Sequence, residues 1–359
     1  MLRVIILSAI ASLVNAAPVD VFIAGQGAPQ FRIPALVSTS KGTLVAFAEA
    51  RTEPSTDCGY KWIVARRSVD FGVTWGPLID VVGREWTGWA TGNVQPVWHN
   101  SSGRIVLTVG SKDLHAGGRG CQPGTAVFAV DDGGTDGAMW GPARNISADL
   151  SSAKGGPTLV PGPGSGVVLI KTHPGRIVAV GVSGGAYSYD AVYWSDDAGL
   201  TWTASPNELG EGMDEANIAE LSDGRLYLTL RNDQKSLQAY SLSSDGGETW
   251  GPILYDPTLI TPACEASVAT FNSALYFANT ASTTARANLT VRRTAPGAAP
   301  TDWLSSTHLV APGITWGGYS SMARDAVATN TGGILFERNI TADTADGCVI
   351  SYDNFPLDF

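Results

Sequence analysis

A small set of polar residues, set among apolar or glycine-rich segments, could carry chemistry in this chain. Arg32 stands in Phe31-Arg32-Ile33-Pro34, Arg231 ends the run Leu226-Tyr227-Leu228-Thr229-Leu230-Arg231, and Arg286 shortly precedes Leu289-Thr290-Val291-Arg292. A guanidinium fork pairs bidentately with a carboxylate and keeps its charge at every working pH, so converging arginines would suit an anionic ligand. Arg51 and Asp57 lie close together after Ala48-Glu49-Ala50, Glu215 falls in an acidic stretch with Glu211, Asp214 and Glu220, and Tyr319 sits in Gly317-Gly318-Tyr319-Ser320-Ser321. A carboxyl group can give and take protons, whereas a phenol with a pKa of about 10 is a weak nucleophile unless a base stands beside it. Each residue taken singly has a plainer reading. The arginines are exposed strand ends, Asp57 forms a turn, the acidic stretch is a solvated loop, and Glu337 is the polar end of a strand Gly333–Arg338.

Other chemistries are disfavoured. The four histidines are scattered and no cysteine belongs to a CxxC pair, so neither a metal nor another cofactor is expected. The formal charge of −10 argues against nucleic acid as a partner. It also means that an anionic substrate would need a local arginine cluster. Residues 1–17 read as a secretory signal, with Arg3 at the start, an apolar run Val4–Val14 and a small-residue cleavage site. No later stretch approaches the roughly 20 apolar residues of a membrane span, so a secreted, extracellular protein without membrane contact is expected. Cys58, Cys121, Cys264 and Cys348 then suggest two disulfides, and sequons begin at Asn100, Asn145, Asn288 and Asn339.

The elements that must position these residues are announced by a repeated pattern, Ser-x-Asp-x-Gly-x-Thr-Trp, at Ser68–Trp75, Ser195–Trp202 and Ser243–Trp250. In a turn the Asp side chain can bond backbone N–H groups, the Gly supplies a positive φ, the Thr hydroxyl ties back and the Trp plugs into the layer beneath. Each copy therefore reads as a hairpin corner. Altered copies end at Trp140 and Trp303. Alternating segments such as Gly42–Ala50, Lys61–Ser68, Gly103–Val109, Gly166–Ile170, Arg176–Val182, Leu237–Ser243 and Ala274–Asn279 read as short strands. Trp75, Trp140, Trp202 and Trp250 recur at about 50 to 65 residues, the length of a four-stranded blade with its loops. The expected fold is all-β, a six-bladed propeller forming one domain over residues 18–359.

The repeats resemble the Asp boxes of the sialidase family, and Phe31-Arg32-Ile33-Pro34 matches the motif that opens its catalytic domains. The resemblance covers essentially the whole chain after the signal. It implies that Arg32, Arg231 and Arg286 grip the substrate carboxylate, that Arg51 contacts a ring hydroxyl at C4, and that Asp57 is the acid/base catalyst. It further implies Tyr319 as nucleophile, Glu215 as its base and Glu337 as the residue that orients Arg32. Most retaining glycosidases use a carboxylate nucleophile, and sialidases are an exception with Tyr. The substrate already carries a carboxylate on the anomeric carbon, where a neutral phenol can approach and an anion would be repelled.

The expected function is a secreted, retaining exo-α-sialidase acting on sialylated or KDN-bearing glycans, as a monomer or weak homo-oligomer. The chain is similar to secreted sialidases of filamentous fungi, several of which favour the deaminated acid KDN. Residues Lys112–Gln122 and the surroundings of Arg144 are candidates for the C5 pocket that would decide this. A trans-sialidase is a near alternative. A carbohydrate-binding propeller without catalysis is the alternative from another class, and it would need the arginines but no nucleophile and base.

Overall fold

Short alternating segments bounded by Gly, Asp and Ser become strands throughout the chain. The computed structural model describes residues 17–359 apart from 54–56, 116–124, 152–157, 184–188, 235, 316, 325–329 and 340–347. Most of the expected signal, and Cys121, lie outside the described residues. β1 (Val19–Ile23) is followed by a meander of β2 (Gln30–Ser38), β3 (Leu44–Arg51), β4 (Lys61–Ser68) and β5 (Ile79–Val82). A second meander has β6 (Trp89–His99), β7 (Arg104–Asp113), β8 (Thr125–Asp131) and β9 (Arg144–Asn145). The third sheet contains β10 (Val160–Pro161), β11 (Val167–Val168), β12 (Ile177–Ser183), β13 (Tyr189–Ser195) and β14 (Thr203–Ala204). The fourth runs β15 (Met213–Glu220), β16 (Leu226–Asn232), β17 (Leu237–Ser243), β18 (Leu254–Ile260), and the fifth β19 (Ser267–Phe271), β20 (Ala274–Thr280), β21 (Ala287–Arg293), β22 (His308–Ile314). β23 (Ser320–Arg324), β24 (Thr331–Asn339) and β25 (Cys348–Pro356) form the last sheet with β1, whose antiparallel pairing to β25 joins the two ends of the chain. Among the described residues there is no helix.

The arrangement is an all-β propeller. β2, β6, β11, β15, β19 and β23 contact one another in turn and close a ring around the axis. The hydrogen bonding does not give six separate blades, however. Among the described residues there are five sheets, because the parallel pair Lys61–Ala90 fuses the first two meanders into one eight-stranded sheet. Apolar side chains fill the spaces between sheets. Phe22, Phe31, Leu36, Ile350 and Tyr352 pack where the closing sheet meets the first meander, and Phe47, Ile63, Ile105 and Leu107 pack between the first two meanders. Burying each such side chain is worth about 1.5–3 kcal/mol.

Two expectations need correction. Cys264 and Cys348 are free, buried thiols, so the four cysteines do not form two disulfides; Cys58 is disulfide-bonded. The Gly166–Ile170 segment yields only the two-residue β11, because Leu169 turns back to receive the Gly175 N–H. Of the sequon residues, Asn100, Asn145 and Asn288 are exposed and Asn339 is half-buried.

Each repeat occupies the corner between the third and fourth strands of its unit. In the first, Asp70 accepts from the Ser68 hydroxyl at 2.8 Å, the Thr74 N–H at 2.9 Å and the Thr74 hydroxyl at 2.5 Å. The Ser68 hydroxyl in turn accepts the Gly72 N–H at 2.8 Å. The other two boxes repeat these bonds. Two consecutive residues take positive φ in each, Phe71 and Gly72 in the first, Ala198 and Gly199 in the second. Gly72 also lies flat on Tyr352 of the neighbouring sheet, and a methyl there would overlap the ring. Gly72→Ala therefore combines backbone strain with overpacking and is expected to cost at least about 2 kcal/mol. Urea unfolding of the two proteins measures this, and an unchanged midpoint would contradict it.

Candidate active site

The innermost strands are not regular. The β2–β3 register shifts between Arg32 and Ala35, the β6–β7 register between Gly92 and Gln95, and the β15–β16 register between Asp214 and Ala216. At each shift a non-glycine residue has a positive φ: Ile33 at 58°, Asn93 at 53° and Glu215 at 42°. Such a conformation costs a β-branched residue like Ile33 on the order of 1–3 kcal/mol and persists only where surroundings enforce it. Pro34 has no N–H to leave unpaired at the bulge. The Ile33 N–H is taken by Glu337 Oε1 at 3.0 Å. All three bulges border one cavity of about 300 Å³, so strand irregularity is what turns backbone and side chains towards a common space.

The cavity brings together Arg32, Arg51, Asp57, Glu215, Arg231, Arg286 and Tyr319, seven of the eight predicted site residues. Glu337, the eighth, lies directly behind it. Six cationic and three anionic side chains line the space among the described residues, which gives a locally positive site in a chain of charge −10. Glu337, fully buried, makes a bidentate pair with Arg32, Nε to Oε1 at 3.0 Å and Nη2 to Oε2 at 3.1 Å. Burial would lower the Arg32 pKa, but the Glu337 charge and hydrogen bonds outweigh it and raise the value. A side chain at Gly317 would collide with this carboxylate, which is why the turn before Tyr319 carries glycine.

Tyr319 is buried and held from both sides. Its N–H donates to Glu337 Oε2 at 3.3 Å, its C=O accepts the Glu337 N–H at 3.0 Å, and the next residue's N–H donates to buried Glu265 at 3.0 Å. The phenol donates a short hydrogen bond to Glu215 Oε1, while Arg231 Nη1 donates to Glu215 Oε2 at 2.7 Å and to the phenol oxygen at 3.3 Å. The guanidinium groups of Arg32 and Arg286 lie 5.0 and 5.5 Å from the ring centroid. Burial, then the Glu215 charge, push the Tyr319 pKa well above its ordinary value, so the resting phenol is neutral. Arg286 Nη1 donates to the Gly317 carbonyl at 2.8 Å, whereas Arg292 and Arg293 lie outside the cavity.

The acidic stretch also resolves. Glu220 is buried and accepts the N–H groups of Ile170, Lys171 and Thr172, a purely local cap, and Glu211 is exposed. Asp214 lines the cavity 3.7 Å from Arg231 Nη1, and burial followed by the Glu215 charge raise its pKa to about 7. Only Glu215 bonds Tyr319.

Sequence reasoning missed a second charged cluster. Arg51 Nη1 donates to Asp57 at 2.8 Å, and Arg51 Nε and Lys61 Nζ both donate to Glu49 Oε2 at 2.9 Å. Glu49 is fully buried, and its Oε1 accepts the Asn93 N–H at 2.9 Å. The signal was a lone glutamate inside the apolar run Leu44–Ala50, which cannot be buried without cations. Burial would raise its pKa, but Lys61, then Arg51, outweigh it and pull the value down to about 2. At Asp57 burial again raises, while Arg51 and then Lys61 lower by more, so the carboxyl is held below its usual range. Of the C5 candidates, Lys112 lines the cavity, Arg144 instead bonds the Gly199 carbonyl, and residues 116–122 lie outside the described residues.

The Glu49 shift fixes a pH window. A carboxyl that binds its proton less readily folded than unfolded stabilises fully above about pH 4.5, and the effect is lost as the pH falls towards about 2. It amounts to roughly 3 kcal/mol. Glu49→Gln is therefore expected to flatten the fall of Tm between pH 4.5 and 2 relative to wild type; parallel curves would contradict it.

Known proteins resemble this chain over most of its length. A family profile described as BNR repeat-like domain matches residues 33–259. A sialidase of Micromonospora viridifaciens is 31% identical over 355 residues, covering 92% of this chain and 52% of that protein. An exo-alpha-sialidase of Aspergillus fumigatus is 30% identical, covering 77% of this chain and 71% of its own. The chain thus spans about half of the first relative and nearly three quarters of the second. Among solved structures, the Hadza microbial sialidase Hz136 superposes with a TM-score of 0.82 at 24% identity, covering 95% of this chain and 68% of its own, which bears on the fold alone.

Proposed function

The chain belongs to the sialidase family, and on that premise we propose that it is a secreted, retaining exo-α-sialidase working through a tyrosyl-enzyme intermediate. The observation that carries the reading is the Tyr319–Glu215 hydrogen bond inside a ring of arginines. A binding module would use the arginines but has no need of a buried phenol aimed at a carboxylate. For the blade count, we take the two meanders of the eight-stranded sheet as separate blades, which restores six around the axis.

In the proposed reaction Arg32, Arg231 and Arg286 hold the substrate carboxylate and so fix the anomeric carbon beside Tyr319. As the phenol oxygen bonds to that carbon, its proton passes to Glu215 Oε1, and the glycosidic oxygen departs with a proton from Asp57. Water then attacks the same carbon, Asp57 takes its proton, and the phenol leaves and recovers its proton from Glu215. Configuration is retained after two displacements. Arg231 keeps Glu215 oriented, and the two guanidinium groups near the ring favour negative charge developing on the phenol oxygen.

Asp57 must be protonated to act as acid, yet Arg51 and Lys61 hold it ionised in the free site. A ring hydroxyl that takes up the Arg51 donors, and a sugar that screens Asp57 from water, would both relieve that pairing. Because kcat/KM reports the free protein, it should have an acidic optimum, falling as pH rises through the depressed Asp57 value. Asp57→Ala is expected to lose about 10²–10⁴-fold on a disaccharide-linked substrate but far less on a 4-methylumbelliferyl glycoside, whose leaving group needs little acid help. Equal losses on both would remove Asp57 from the acid role. Tyr319→Phe should lower kcat by at least about 10³-fold with the fold intact; near-normal turnover would sink the mechanism.

A preference for KDN is the finer part of the proposal and concerns the C5 substituent, a hydroxyl in KDN and an N-acetyl group in N-acetylneuraminic acid. Lys112 and Asn93 supply polar groups to the cavity, beside Ala90, Gly110 and Val160. Comparing kcat/KM for the 4-methylumbelliferyl α-glycosides of the two sugars tests it. An equal or higher value with the N-acetyl sugar removes the preference, and turnover of neither removes the hydrolase.

A further inference from the structure

The two buried glutamates of the site are built alike. Glu337 binds Arg32 and the bulge amide of Ile33, and Gly317 leaves room beside it. Glu49 binds Arg51, Lys61 and the bulge amide of Asn93, and Gly92 leaves room beside it. A Cβ on Gly92 would overlap Glu49 Oε1 and come within 2.7 Å of Lys61 Nζ. In the first arrangement the cation so presented, Arg32, faces the cavity. Lys61 lines the same cavity, and no hydrogen bond connects it to Tyr319 or Glu215. Glu49 takes one of the three protons of the ammonium, which leaves donors for a group entering past Gly92.

A lysine this buried is costly to keep for packing alone, since an apolar residue would fill the volume without a desolvation penalty. Its partner Glu49 also binds Arg51 and the Asn93 amide, and its bond to Lys61 engages only one of the ammonium donors. We propose that Lys61 is a further substrate-binding residue, presented by Glu49 and uncovered by Gly92, that donates to a ring hydroxyl of the nonulosonic acid on the side away from the anomeric carbon. The inference rests on the reading of Arg32, Arg231 and Arg286 as the carboxylate grip, which places the far side of the sugar ring against β3, β4 and β6. Lys61 and Arg51 then form a pair of donors that favours a sugar with compact hydroxyl groups there over one in which they are missing or masked.

The test measures binding and needs no turnover. The 2,3-didehydro-2-deoxy form of KDN is titrated calorimetrically into wild type and Lys61→Met, together with its 4-deoxy and 5-deoxy counterparts. Lys61→Met is expected to bind the hydroxylated analogue roughly ten- to hundredfold more weakly, the range for a hydrogen bond to a charged group. With one of the deoxy analogues the two proteins should bind within about threefold, because the acceptor that Lys61 serves is gone. Unchanged binding by Lys61→Met, or the same penalty with all three analogues, overturns the assignment, the latter by showing that Lys61 acts only through the shape of the site. If Lys61→Met melts far below wild type, Lys61→Gln, which keeps a donor to Glu49, takes its place under the same criteria. A protein that turns over nothing but shows the Lys61-dependent binding fails the hydrolase proposal alone. A wild type that binds none of the analogues overturns both.

Discussion

Like charges gathered in a partly dry cavity repel, and the structure is organised around that constraint. Four arginines and two lysines converge on about 300 Å³, and Arg32, Arg51, Lys61 and Arg231 are each paired with a carboxylate. Glu337 answers for Arg32, Glu49 for Arg51 and Lys61, and Glu215 with Asp214 and Asp233 for Arg231. The two fully buried glutamates also take the N–H groups of Ile33 and Asn93, so charge pairing and the irregular backbone are one construction. The overall charge of −10 is spread elsewhere, so an acidic protein keeps a locally positive pocket.

The same economy governs Tyr319. Tyr319 is buried, neutral and flanked by two guanidinium groups. Arg231 holds Glu215 against the phenol, and the backbone of Tyr319 is fixed by Glu337 on one side and Glu265 on the other. Glu337 thus touches both Arg32 and the Tyr319 peptide. A group that serves two parts of a site makes their geometry interdependent, so errors in one carry into the other.

Much of this was legible in the chain, though unevenly. The second strand of each unit reads clearly, and so do some third strands, as Lys61–Ser68 and Leu237–Ser243 show, because they are bounded by turn residues; Thr125–Asp131, Ala287–Arg293 and Cys348–Pro356 do not announce themselves. The repeats located the corners because their hydrogen bonds are local to eight residues. The innermost strands read poorly. Met213–Glu220 looks like an acidic loop, since its polar residues face the axis and its bulge interrupts the period of two. Glu215 and Tyr319 were placed through family resemblance, not through periodicity. Glu49 and Lys61 were overlooked because their meaning lies in a contact across strands, while the merging of two meanders depends on one parallel pair at Lys61 and Ala90 that no local pattern announces. The free thiols of Cys264 and Cys348 show that an even cysteine count constrains pairing only weakly.

The Arg32–Glu337 pair joins residues 305 positions apart, and β1 meets β25 in the same closing sheet. During synthesis the first arginine therefore emerges long before its counterion exists, and it must remain hydrated until nearly the whole chain has been made. Residues from almost every sheet then converge at once. No fragment that lacks β24 can assemble the pocket, however well its own strands fold. The site is thus a property of the closed ring, and its appearance during folding reports closure more directly than any measure of strand content.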